Sequence, residues 1–149
     1  QGYIKEKRKG IVRPKQTPGM NPLSFVSEDG HVILVGRNNR ENDYLTMKLA
    51  RDNDIWLHAK GIPGAHVIVR RKDNAVPSEE AILSGAMLAA FYSKGRQSEN
   101  VAVDFTEVRH VKKPKGARPG MVIYRNEKTL FVTPDPETVL LLRKPDERS

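Results

Sequence analysis

The chain has 149 residues, no cysteine, and 26 Lys+Arg against 18 Asp+Glu, for a net charge of +8. That length suits a single domain with its own core, and the charge points to an anionic partner, nucleic acid before a membrane surface. Disulfides, thiolate metal sites and cysteine nucleophiles are excluded, which fits a reducing cytosol, and no apolar run nears the roughly 20 residues of a membrane span.

No signal peptide is visible, but the chain opens on Gln1 rather than Met, so a signal or neighbouring domain ahead of it stays open. Residues 1–22 are basic and rich in Pro and Gly, and read as a linker or arm. Leu23-Ser24-Phe25-Val26 and His31-Val32-Ile33-Leu34-Val35 flank an Asp29-Gly30 turn and predict a hairpin. A polar connection, residues 36–43, leads to a helix over 44–51, with Asn42 or Asp43 as its cap and Leu45 and Leu49 on one face. Residues 54–70 read as two strands joined by a Gly/Pro turn. Residues 78–94 predict the main helix, capped by Ser78, with Glu79 and Glu80 in its first turn and Gly95 beyond its end. Gly85 inside it costs about 1 kcal/mol relative to Ala, which a close helix–sheet approach would offset. A long strand over 101–111, a basic loop over 112–120 and a second hairpin over 121–124 and 129–133 follow. The tail, 135–149, holds a short helix near 137–143.

The chain therefore reads as a basic arm (1–22), one α+β domain (23–134) and a tail (135–149). The sheet is expected to be mixed or mostly antiparallel, with about seven strands and the two main helices on one face. The opposite face would be free for a partner.

Alternation along the two strands of 54–70 separates two faces. One carries Ile55, Leu57, Ala59, Val67 and Val69, and makes core. The other gathers the chain's only tryptophan, Trp56, with His58, Lys60, His66, Ile68 and Arg70. On that face Trp56, His58 and His66 are candidates to stack on unpaired bases, and Lys60 and Arg70 to meet phosphates. The bland alternative packs Trp56 under a helix and ties His58 to the backbone. Residues 109–118 bring five Lys/Arg and no acid, among them Lys112, Lys113, Lys115 and Arg118, with Pro114 and Gly116 to shape the loop. Such a loop suits backbone phosphates, and affinity gained that way falls with salt. Gly36-Arg37-Asn38-Asn39 could offer amides and a guanidinium to a phosphate, although it matches no known phosphate-loop spacing and, from spacing alone, a polar turn is the better reading. His58 and His66 with Asp54 are the one imaginable acid–base set. No metal-binding or nucleophile-elbow motif accompanies them, so the chain reads as non-catalytic, without metal or cofactor.

Three ordered motifs carry a family resemblance. They are Gly36-Arg37-Asn38-Asn39-x-Glu41-Asn42-Asp43-x-Leu45-Thr46; Asp54-Ile55-Trp56-Leu57-His58-x-Lys60-x-x-Pro63-Gly64-x-His66-Val67; and Val111-Lys112-Lys113-Pro114-Lys115-Gly116-x-x-Pro119-Gly120-Met121-Val122. Together they resemble the NFACT-R domain, the RNA-binding-type domain of the NFACT family of ribosome-associated quality-control factors. Bacterial members were long labelled fibronectin-binding proteins. The resemblance runs over about 15–134 and implies a bacterial, cytoplasmic protein whose partners are tRNA, large-subunit rRNA and the ribosome. It also implies further domains in a full-length protein. Full-length members act on large subunits blocked by peptidyl-tRNA and promote an untemplated, largely alanine C-terminal tail. Tail synthesis does not carry over to this chain alone; RNA contact does. The competing readings are an RNA-processing enzyme using His58 and His66, and fibronectin or matrix adhesion, for which the sequence offers no specific support.

Overall fold

A computed structural model describes residues 19–73 and 75–142. Most of the basic arm read over 1–22 and the last residues of the tail lie outside them. The elements in chain order are β1 (Leu23–Val26), β2 (Val32–Val35), α1 (Asn39–Asp43) running into a π-helical segment (Tyr44–Leu49), β3 (Ile55–Ala59), β4 (Val67–Val69) and α2 (Glu79–Phe91). Then come β5 (Val101–Glu107), a 3-10 turn (Val108–His110), β6 (Val111–Lys112), β7 (Ile123–Tyr124), β8 (Lys128–Val132) and α3 (Pro136–Leu141). Six strands form one sheet in the order β1-β2-β4-β3-β5-β8, and β6 and β7 form a separate pair. Every pairing is antiparallel. The α+β class and the antiparallel sheet follow the sequence expectation, with eight strands among the described residues.

The first face of the β3–β4 hairpin is core, as the alternation implies. Leu57, Ala59, Val67 and Val69 are fully buried against Ala86, Leu88, Ala89 and Ala90 of α2. The approach is close. A Cβ on Gly85 would lie 2.7 Å from Val69 Cγ2, so only glycine lets the helix settle here. Ser78 caps α2 as expected, accepting from Ala81 N–H. The helix ends at Phe91, short of the predicted 94, because Tyr92 leaves helical geometry.

Three expectations are corrected. The first helix begins earlier than 44–51 and is capped by Asn38, whose side chain accepts from Glu41 N–H, rather than by Asn42 or Asp43. It also does not join α2 on one face. Leu45 packs with Trp56, Ile68, Val108 and Val111 on the opposite face, where Leu49, Val122 and Tyr124 add to the cluster. Burying side chains such as Leu45 and Ile68 contributes about 1.5–3 kcal/mol each, so that face is closed by the chain itself rather than left free. The predicted strand over 101–111 stops at Glu107, where alternation fails and the 3-10 turn re-aims the chain toward β6.

Candidate nucleic-acid interface

The basic segment that runs from Lys112, at the end of β6, to β7 forms an anchored arch. Gly120 N–H donates to Asp43 Oδ1 at 3.0 Å. Lys113 Nζ donates to the carbonyls of Arg118 (2.6 Å) and Met121 (3.1 Å) and lies 3.3 Å from Asp43 Oδ2. His66 holds the same point from below, 3.1 Å from its Nε2 to Gly120 O. Its Nδ1 faces Trp56 Nε1 at 3.2 Å and Thr46 Oγ1 at 2.8 Å. An indole N–H can only donate, so Nδ1 is the acceptor and Nε2 carries the proton toward the Gly120 carbonyl. The ring is neutral. Burial, with His58 alongside, pushes its pKa down from 6.5 to about 4.

The 36–43 motif supplies the other half of this hub. Glu41 is fully buried and accepts from Asn21 N–H (2.7 Å), Arg37 N–H (2.9 Å) and Arg37 Nε (3.0 Å). Burial alone would raise its pKa, but the Arg37 guanidinium and the two amides outweigh it and hold the carboxyl at about 2. Asn42 Oδ1 accepts from His66 N–H at 3.0 Å, and Asn42 Nδ2 donates to Asn39 Oδ1 at 3.3 Å. Most of the motif's polar groups are therefore spent on structure. Asn38 is a helix cap, and much of Arg37's charge is taken by Glu41. Asn39 is exposed.

The second hairpin face is not the open surface its composition implies. Trp56 is 1% exposed. Its ring stacks on His58 at 5.8 Å, meets His66 edge-on at 5.4 Å and lies 4.6 Å from Tyr124. Trp56 and His66 have no surface on which a base could stack. The physical reason is the apolar cluster around Leu45, which draws the first helix and the β6–β7 pair over them. His58 stays half-buried and lines a cleft, its pKa lowered by burial. Lys60 is exposed, 3.4 Å from buried Asp104, which also accepts from Tyr124 Oη and Thr129 Oγ1, each at 2.6 Å. Burial and that bond push the Tyr124 phenol up. Arg70 stands apart, at the other end of the hairpin, 3.6 Å from buried Asp54.

The cations therefore fall into two groups. Arg37, Lys113, Arg70 and the more exposed Lys60 face Glu41, Asp43, Asp54 and Asp104. Lys112, Lys115 and Arg118 are exposed on the arch and make no ion pair among the described residues. Two concave regions meet at Pro63 and Gly64. One, of about 700 Å³, carries Asn39, His58, Arg118 and Gly120. The other, of about 500 Å³, carries Arg37, Asn38, Asn39, Lys94 and Arg96. From sequence, Lys94 and Arg96 read only as complements to the helix end. Neither Glu41 nor Asp43 stands out there as the partner of a cation, although the i,i+4 spacing of Arg37 and Glu41 is a readable signal. Among the described residues no cluster of His, Asp and Glu could hold a metal ion, and no helix is long and apolar enough to cross a membrane.

Residues 22–126 match the family described as the NFACT protein RNA binding domain. The chain is 48% identical over 141 residues to the Rqc2 homolog RqcH of Bacillus subtilis, covering 89% of this chain and 24% of that protein. Its identity to the Rqc2 homolog RqcH of Streptococcus suis is 42% over 139 residues, covering 93% of this chain and 24% of that protein. Among solved structures it matches the C-terminal part of the fibronectin/fibrinogen-binding protein of Streptococcus suis, with a TM-score of 0.78 and 41% identity over 96% of this chain and 55% of that one. The chain spans about a quarter of the length of these RqcH relatives. It belongs to the NFACT RNA-binding domain family.

Proposed function

We propose that this chain is a non-catalytic RNA-binding module of a cytoplasmic ribosome quality-control factor, and that its ligand is tRNA or large-subunit rRNA at a subunit blocked by peptidyl-tRNA. The observation that carries the reading is the anchored arch, with Lys112, Lys115 and Arg118 exposed on a backbone fixed by Asp43, Lys113 and His66. Fixing the loop in advance reduces the ordering cost of binding. Cations on it serve phosphates rather than base edges, so the contact is salt-sensitive and follows backbone shape. The family match and the names of the relatives support the same partner class. Alanine tailing belongs to the whole protein, in which this module positions RNA beside the remaining domains.

An RNA-processing role for His58 and His66 is disfavoured by chemistry. Both ring nitrogens of His66 are engaged within the fold, so neither is free to take a substrate proton. Incubation with labelled tRNA is expected to leave it intact, in wild type and in His58→Ala/His66→Ala alike. Adhesion to fibronectin rests on the name of one relative and on net charge, and heparin or salt is expected to abolish it. The direct test is tRNA binding by fluorescence anisotropy across a salt series. A steep negative salt slope supports the assignment, and no binding at low salt overturns it.

A further inference from the structure

The cleft that holds Lys94 and Arg96 lies on the other side of Pro63–Gly64 from the basic arch. We infer that this cleft is a second nucleic-acid site, which takes the phosphate of a single-stranded nucleotide while the arch engages the larger RNA. The inference rests on RNA binding as the function of the chain.

Four observations carry it. The first is the charge of the lining, which includes Arg37, Lys94 and Arg96 and no carboxylate residue. Glu41 offsets much of Arg37, but Lys94 and Arg96 have no ion pair among the described residues. The second is size. A volume of about 500 Å³ falls within the roughly 300–1,000 Å³ of small-molecule sites. It is an open depression large enough to admit an unpaired nucleotide.

The third is preorganisation. Lys94 N–H donates to Pro63 O and Ala65 N–H to Tyr92 O, both at 2.9 Å, and Gly64 pairs with Ser93. A Cβ on Gly64 would lie 2.8 Å from Ser93 Cβ, so glycine permits this close approach. The Arg96 guanidinium carbon sits 3.8 Å from the Phe91 ring centroid. That cation–π contact holds the guanidinium against the ring and leaves N–H groups to donate to a phosphate.

The fourth is the helix end. The C-terminus of α2 would ordinarily repel an anion through its open carbonyls. Here Tyr92 O accepts from Ala65 N–H, and Ala90 O accepts from Ser93 Oγ at 2.7 Å. Asn39, whose Oδ1 is used by Asn42, also lines the cleft and has its amide NH2 as a donor.

The test compares two probes, intact tRNA and a labelled single-stranded pentaribonucleotide, on the 149-residue chain. Three proteins are measured beside wild type: Lys94→Gln/Arg96→Gln, Lys94→Glu, and Lys112→Gln/Lys115→Gln/Arg118→Gln. The expected result is that both cleft variants weaken oligonucleotide binding, with a salt slope shallower by about one to two units in the double variant. The arch variant is expected to weaken tRNA more than oligonucleotide. Lys94→Glu is included because it leaves the Arg96–Phe91 contact in place, so a folding defect in the double variant does not decide the outcome. AMP should compete with the oligonucleotide and adenosine should not, since the site is built for the phosphate. Oligonucleotide binding unchanged in Lys94→Glu, or competition by adenosine equal to that by AMP, overturns the second site and leaves the arch untouched. A wild type that binds neither probe at low salt overturns the RNA-binding function itself.

Discussion

Asp43 and Gly120 are separated by 77 residues, yet Gly120 N–H donates to Asp43 Oδ1 at 3.0 Å. The other oxygen of the same carboxylate lies 3.3 Å from Lys113 Nζ. One side chain on the first helix thus ties both ends of the basic arch. Ordering a free loop costs about 1–2 kcal/mol per residue, and this arrangement meets part of that cost before any ligand arrives.

Replacing Asp43 separates its two contributions. Asp43→Asn keeps an acceptor for Gly120 and loses the charge facing Lys113, in a pair whose side chains are each only 24% exposed, for an expected cost of about 1 kcal/mol. Asp43→Ala removes both and is expected to cost about 1–3 kcal/mol. Hydrogen exchange at the Gly120 amide is the sensitive readout. It should speed up strongly in the Ala variant and little in the Asn variant.

Glu41 gives the fold an acid-sensitive brace. Its folded value of about 2 lies below its ordinary 4.5, so the unfolded chain takes up the proton first. The stability it contributes is fully present above the ordinary value and is lost as pH falls through the folded one. Glu41→Gln should lower stability at neutral pH by about 1–3 kcal/mol and flatten the acid limb. Urea midpoints measured from about pH 6 down to pH 2 check both, and equal acid slopes in wild type and variant would refute the brace.

His66 acts in a separate window. Its folded value of about 4 lies below 6.5, so the folded state releases a proton that the unfolded state keeps. The stability tied to neutral His66 is complete above the unfolded value and declines as pH drops toward the folded one. Its ring resonances should stay those of the neutral, Nε2-protonated form from neutral pH down to about pH 5 by NMR. His66→Phe strands Trp56 Nε1, Thr46 Oγ1 and Gly120 O. At about 1–3 kcal/mol for each polar group left without a partner, several kcal/mol of stability should go, with the arch loosened as well.

Much of the scaffold is legible in the sequence because its signals are local. Ser78 and the apolar stripe specify α2, Asp29-Gly30 specifies the first hairpin, and alternation sorts Leu57 and Val67 from Trp56 and Ile68. What alternation cannot say is whether a face is covered. Trp56 is buried by Leu45, Val108 and Val111, which reach it across the fold. The same holds for the cations. Lys112 and Lys113 are neighbours of identical chemistry, and only the distant Asp43 makes one a brace and leaves the other exposed. The fate of each charge depends on a carboxylate far away in sequence, which pattern and composition do not encode.

That division gives the sharpest mutational contrast. Lys112, Lys115 and Arg118 make no ion pair among the described residues, so replacing all three with Gln should leave the unfolding midpoint within error of wild type. Removing one cation from a phosphate reduces the salt slope of binding by somewhat under one unit, so the triple variant should show a slope shallower by about two units and weaker tRNA binding. Lys113→Gln removes donors to two carbonyls and the partner of Asp43. It should cost about 1–2 kcal/mol and weaken tRNA binding through a looser arch, with a slope change of less than one unit. Thermal melts paired with anisotropy titrations resolve the two behaviours. A triple variant that binds tRNA with the wild-type slope would remove the arch from the interface, and a Lys113→Gln protein as stable as wild type would show that the arch does not depend on that lysine.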